Sequence, residues 1–74
     1  MKIKVNSIYR WKDTMVGERD KEKGRVYFIV LEVGERLITM KYLGDGSVIH
    51  HSRSLFKDGN IIWVSDGKDS KQPD

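Results

Sequence analysis

The densest run of reactive and ligand-binding side chains is His50-His51-Ser52-Arg53-Ser54. An arginine flanked by two hydroxyls and a histidine offers several donors within a short extended or turn segment. The guanidinium fork of Arg53 matches a phosphate or carboxylate bidentately, and Ser52 and Ser54 add neutral donors. His51 contributes less, because an unperturbed imidazole is mostly neutral at pH 7. The histidine pair itself makes a poor metal site, since neighbours on a strand point to opposite faces. The chain has no further histidine and no cysteine to complete one. The plainer reading of Ser52 and Ser54, as turn residues between two strands, stands beside this one.

A second cluster is Tyr9-Arg10-Trp11-Lys12, with Tyr42 next to Lys41. Aromatic faces beside cations are what base stacking and phosphate neutralisation require. Seven aromatic residues are many for 74 residues, and most of them must fill the interior. A barrel of this size has room for about four or five large inward side chains. At least two aromatics should therefore reach the surface; Trp11 is expected first and Tyr42 second. A contact between copies of the chain is the competing use of such exposed rings. Catalysis finds less support. No glycine-framed nucleophile surrounds any serine, and the carboxylates concentrate in a polar loop and in the tail, where no apolar pocket could separate their pKa values. Gly67-Lys68 is followed by Asp69, not by the hydroxyl of a phosphate-binding loop. The expectation is a non-enzyme without a cofactor.

Length and composition bound these readings. A chain of 74 residues is one small domain, burying roughly 60% of the surface that its unfolded form exposes. That excludes two-lobed enzymes and large α/β folds. The absence of cysteine excludes a disulfide framework or a thiolate metal site. The longest apolar run, Val26 to Leu31, is far short of a membrane span, and the N-terminus lacks the apolar region of a secretory signal. A cytoplasmic protein with no membrane partner is expected. The net charge of +3 is unevenly placed: Lys2, Lys4, Arg10 and Lys12 stand among residues 1–12 with no acid. Such a patch draws phosphates or acidic partners.

Short strands must position these residues. Ile8 to Trp11 alternates, with Tyr9 and Trp11 on one face. Arg25 to Val33 is apolar on both faces, as a central strand of a tightly curled barrel would be. Arg36 to Leu43 sets Ile38, Met40 and Tyr42 on one face and Leu37, Thr39 and Lys41 on the other. Gly44-Asp45-Gly46 makes a hairpin, because both glycines tolerate positive φ. Ser47 to His51 and Ile61 to Ser65 complete five strands. Between the first two strands, Asp13 to Gly24 is a long connection, either a solvated hairpin or a lid over a ligand. Val16 to Lys23 has one apolar residue and no face to bury, so it is expected to be loop. Residues 1–65 form the domain, and 66–74, without a large apolar residue, form a fraying tail.

Five short strands with tight turns favour a closed or half-closed all-β barrel. The segments Ile8-Tyr9-Arg10-Trp11, Tyr27-Phe28-Ile29-Val30-Leu31, Gly44-Asp45-Gly46 and Ser54-Leu55-Phe56, with the long polar loop, resemble the five-stranded Src-homology-3-like barrels, which include Tudor and KOW domains. The resemblance covers roughly residues 5–65 and lies at the level of fold. It implies a binding module for peptides, methylated side chains, nucleic acids or nucleotides. There is no acidic loop beside a proline-binding groove and no compact aromatic cage, which disfavours the first two. Small cysteine-free proteins of this kind also resemble viral or prophage accessory proteins, among them the sponges that sequester cyclic-nucleotide immune signals. The leading expectation is a homo-oligomer that binds a nucleotide or cyclic oligonucleotide without altering it. Its expected ligand set is Tyr9, Arg10, Trp11, Lys12, Tyr42, His51, Ser52, Arg53 and Ser54, and the oligomer would meet at a face carrying Tyr9, Trp11, Lys12 and Arg53. The alternatives are a DNA- or RNA-binding barrel, an inhibitor of a host protein, and a structural module. A charge of +3 is low for a polymer binder that engages several phosphates.

Overall fold

The computed structural model describes residues 2–66. Five strands, β1 (Ser7–Trp11), β2 (Tyr27–Val33), β3 (Leu37–Tyr42), β4 (Val48–Ser52) and β5 (Ile61–Asp66), form one antiparallel sheet in the order β4-β3-β2-β1-β5. The strands β1 to β4 run as a meander, and β5 returns to pair with β1. The expected strands are all present, each within about two residues of its anticipated ends. Asp66 belongs to β5, opposite Ser7, so the domain runs one residue past the expected boundary. The rest of the anticipated tail lies outside the described residues.

Alternation decides which face is buried. Tyr9 and Trp11 of β1, Phe28 and Val30 of β2, Ile38, Met40 and Tyr42 of β3, and Ile61 of β5 all face the core, joined by Phe56. The β2 strand is central in the sheet, as its composition suggests. It is covered on one face only: Phe28 and Val30 are buried, whereas Tyr27 and Leu31 are exposed and Ile29 is half-buried. A register shift between Val30 and Glu32 places Leu31 at a bulge, which bends the strand.

The sheet is not closed, which corrects the closed form of the closed or half-closed barrel expected. Among the described residues β4 and β5 are its two edges and do not pair. Side chains from the connections cover the concave face instead. Ile3, ahead of β1, packs against the core, as do Val16 from the β1–β2 connection and Leu55 from the 3-10 turn Arg53–Leu55. Phe56, at the end of that turn, is buried outright.

The β1–β2 connection is also corrected. It holds a 3-10 turn (Asp13–Met15) and a single helical turn, α1 (Glu18–Glu22), with no buried residue in either. An amphipathic face is not what forms α1. Gly17 stands at its N-cap, Glu18 and Asp20 occupy its first turn, and Gly24 lies beyond its end at φ 75°. Acidic residues near the N-terminus and a left-handed glycine past the C-terminus stabilise a helix locally. The Gly24 amide donates to the Lys21 carbonyl at 3.1 Å, closing the turn.

Gly24 has a second duty. Its backbone lies against that of Gly44, and a Cβ on Gly44 would stand only 2.7 Å from the Gly24 carbonyl carbon. Gly44 is thus needed for this close approach, while Gly46, at φ 75°, supplies the left-handed turn. The neighbouring Arg25 Nε donates to Asp45 Oδ2 at 2.8 Å and ties the two connections together. Gly44→Ala should therefore cost about 1–3 kcal/mol through backbone overlap, whereas Gly59→Ala, with open space around it, should stay within about 0.5 kcal/mol. Urea unfolding of the two variants checks this, and equal stabilities would contradict the close approach.

Candidate functional site

The core takes most of the aromatic residues that sequence patterning offered to a ligand. Trp11 is 5% exposed and Tyr42 is 7% exposed, which overturns the expectation that they project into solvent. Their polar atoms meet instead, the Trp11 indole N–H donating to the Tyr42 hydroxyl at 2.8 Å inside the core. That bond gives the buried indole N–H its acceptor. Tyr9 is buried as well, and its hydroxyl accepts the Lys4 amide at 3.1 Å. The anticipated face of Tyr9, Trp11, Lys12 and Arg53 therefore has no exposed ring to offer a second copy of the chain. The expected number of surface aromatics is right and their identity is not: Tyr27 and Trp63 are the exposed ones, at 45% and 53%.

Arg10 is half-buried and engaged. Its Nη2 donates to Asp13 Oδ1 at 2.9 Å, and its guanidinium lies 5.6 Å from the centre of the Tyr27 ring. Its buried Nε has no hydrogen-bond partner among the described residues. Lys12 is exposed, while its amide donates to the Asn60 carbonyl at 2.8 Å. His51 leans edge-on against Trp11, ring centres 6.0 Å apart. His50 points the other way, its Nδ1 2.8 Å from Thr39 Oγ1, as the alternation of strand side chains requires.

Ser52, Arg53 and Ser54 are exposed at the end of β4. The Ser52 hydroxyl caps the following turn by accepting the Ser54 amide at 3.3 Å, and it lies 2.9 Å from the Ser54 hydroxyl. These serines are turn formers first, satisfying a backbone donor that the 3-10 turn leaves free. Arg53 is positioned by its own backbone, whose amide donates to the Arg36 carbonyl at 2.9 Å and whose carbonyl accepts the Phe56 amide at 2.9 Å. Its Nη1 donates to the Gly34 carbonyl at 3.1 Å. That bond uses one of the five guanidinium donors.

Two cavities compete for these residues. The smaller, about 170 Å³, is lined by Trp11, Asp20, Arg25, Tyr42, His51 and Leu55. It gathers three of the expected residues, yet it is too small for a ligand that needs at least about 300 Å³. Its one arginine is already paired with Asp45, and Asp20 sets an acid in the wall. The Asp45 carboxyl is held far below the usual carboxylate range, chiefly by the Ser47 amide, then by Arg25 and the Ser47 hydroxyl. Burial pushes the Tyr42 hydroxyl upward, and the Trp11 hydrogen bond opposes that shift. A neutral phenol, a paired arginine and an acid do not make a phosphate site.

The larger cavity, about 520 Å³, is lined by Lys2, Ile3, Val33, Ile38, Arg53 and Phe56. It has two cations, four apolar residues and no acid. Of the expected ligand set only Arg53 lines it, and Lys2, which the expected set omitted, stands beside it. The excess of bases near the N-terminus was the available signal for Lys2. A further cavity of about 300 Å³ is lined by Lys2, Lys4, Tyr9, Trp63 and Asp66.

Among the described residues no three His, Asp or Glu side chains gather to hold a metal ion, and no helix is long and apolar enough to cross a membrane. No family model matches the chain, and neither a curated protein nor a solved structure matches it.

Two outcomes follow from this geometry. Tyr42→Phe leaves the Trp11 indole N–H buried without its acceptor and should cost about 1–3 kcal/mol in urea unfolding; a neutral effect would show that the bond contributes nothing. Burial lowers the His51 pKa, so the unfolded chain takes up that proton first as pH falls. The contribution of neutral His51 is complete above about pH 6.5 and is lost as pH drops through that value towards the folded pKa. His51→Gln should remove this part of the decline in melting temperature between pH 7 and pH 5.

Proposed function

We propose that the protein binds a phosphate-bearing nucleotide in the 520 Å³ cavity and releases it unaltered. The observation that carries this reading is the lining itself: Arg53 and Lys2 stand beside half-buried Ile3 and Val33, which lie over the buried Ile38 and Phe56, with no carboxylate among the six. Its volume lies within the roughly 300–1,000 Å³ of small-molecule sites. A nucleotide has the matching halves, an anion for the guanidinium fork and a flat base for the apolar wall. The Gly34 carbonyl restrains the Arg53 guanidinium, which lowers the entropy lost on binding. None of the six lining residues is a carboxylate, histidine, serine or cysteine, so the reading is capture rather than turnover. By holding its ligand intact, such a protein acts as a sequestering agent, in keeping with the resemblance to nucleotide sponges.

The fold is proposed as a half-open relative of the Src-homology-3-like barrels. The four-strand meander, the return of β5 to β1 and the 3-10 turn just ahead of β5 support that relationship. In this arrangement the turn delivers both Phe56 to the core and Arg53 to the cavity.

Calorimetric titration with adenosine 5′-monophosphate and adenosine tests the proposal. Charge-assisted hydrogen bonds contribute about 1.5–3 kcal/mol, so the phosphate should improve affinity by about 10- to 100-fold. Arg53→Ala should erase that difference while leaving the melting temperature nearly unchanged. Equal affinities for the two ligands in the wild-type chain would overturn the phosphate reading. If Arg53→Ala unfolds the chain, Arg53 is a structural hub and the site is misassigned.

A further inference from the structure

Beside the proposed nucleotide cavity lies the second cavity, about 300 Å³, lined by Lys2, Lys4, Tyr9, Trp63 and Asp66. Lys2 lines both cavities, so the two adjoin at this residue. Trp63 is the most exposed aromatic residue of the described chain, at 53%. It stands opposite Tyr9 in the β1–β5 ladder, on the edge strand, where no further strand covers it. Exposed tryptophan next to two lysines is a stacking platform with phosphate neutralisation at hand.

The lysines are held in place by neighbours that belong to the fold. Ile3, between them, packs against the core, and the Lys4 amide donates to the buried Tyr9 hydroxyl at 3.1 Å. The Asn6 amide donates to the Val30 carbonyl at 2.8 Å and fixes the segment from its other end. The Asp66 carboxylate accepts the Ser7 hydroxyl at 2.9 Å, and the lining retains two cations to one anion.

From these juxtapositions we infer that the ligand is a linear oligonucleotide of at least two phosphodiester-linked units, one nucleotide on the Arg53 side and the next base stacked on Trp63. This rests on the nucleotide reading of the larger cavity and extends it. Lys2 is the cation shared by the two positions, suited to the phosphate that joins the units. Both cavities are lined from one segment, residues 2–4, and two adjoining cavities suit a strand whose bases are splayed apart.

The test compares adenosine 5′-monophosphate, linear pApA, linear hexa-adenylate and cyclic di-adenylate by calorimetry and by intrinsic tryptophan fluorescence. Linear pApA and the hexamer should bind at least about tenfold tighter than the mononucleotide, the gain expected from stacking one base. They should also quench fluorescence, because Trp63 is exposed and Trp11 is enclosed. Trp63→Ala should return pApA to the affinity of the mononucleotide while leaving mononucleotide binding unchanged. Trp63→Phe should retain most of the gain and lose the quenching, which separates stacking from a structural role. Equal binding of pApA and the mononucleotide, or a gain that survives Trp63→Ala, overturns the inference and leaves the nucleotide site standing. Tighter binding of the cyclic form overturns the linear strand in the same way. Failure of every ligand overturns both readings together.

Discussion

Phe28 is the residue on which the rest of the molecule depends. Fully buried near the start of β2, its ring meets those of Tyr9, Trp11, Tyr42 and Phe56 at centroid distances of 6.1, 5.2, 6.1 and 5.8 Å. A chain of 74 residues has little else of comparable bulk, so five of its seven aromatic side chains are committed to one cluster. The cluster imposes a polar condition too. Trp11 is buried with its indole N–H satisfied, because that group donates to the Tyr42 hydroxyl oxygen. What the core consumes is then unavailable to a ligand, and the two remaining rings, Tyr27 and Trp63, define where stacking can occur.

An open five-stranded sheet cannot enclose such a cluster alone. The missing cover comes from segments that each pair an apolar anchor with nearby cations. Ile3 is flanked by Lys2 and Lys4; Phe56 follows Arg53 by three residues. Packing the anchor therefore sets the position of the charge, and the proposed binding surface is a by-product of completing the core. This explains how so thin a domain places cations without dedicated supporting layers. It also explains why the candidate site lies where the sheet is incomplete, with half-buried Ile3 and Val33 at the cavity wall over the buried Ile38 and Phe56.

Much of the sheet is legible in the sequence because alternation and turn residues are local signals. Ile38, Met40 and Tyr42 share a buried face, as their spacing requires, and Gly44-Asp45-Gly46 turns where expected. Closure is not a local property, and the sequence carries no mark of whether β4 meets β5. The helix α1 escapes notice because it is made by Gly17, two acids and Gly24 rather than by an apolar face. At the site, Arg53 is legible from its hydroxyl neighbours, although those hydroxyls turn out to hold each other. Trp11 is misassigned because flanking arginine and lysine suggest exposure, whereas its inward parity in a central pair of strands outweighs its neighbours. Trp63 shares that parity with Ile61 yet sits further along an edge strand, where cover runs out.

On the proposed function, ligand binding uses the face where cations accompany core-completing anchors, and leaves the ring cluster untouched. Proton–nitrogen correlation spectra recorded during titration with linear pApA test this directly. The account predicts shifts at the amides of Lys2, Ile3, Lys4 and Arg53 and at the Trp63 indole, with the Trp11 indole resonance unmoved. Shifts centred on the Trp11 indole and on α1, with Trp63 and Arg53 silent, would contradict it and move the site to the 170 Å³ cavity.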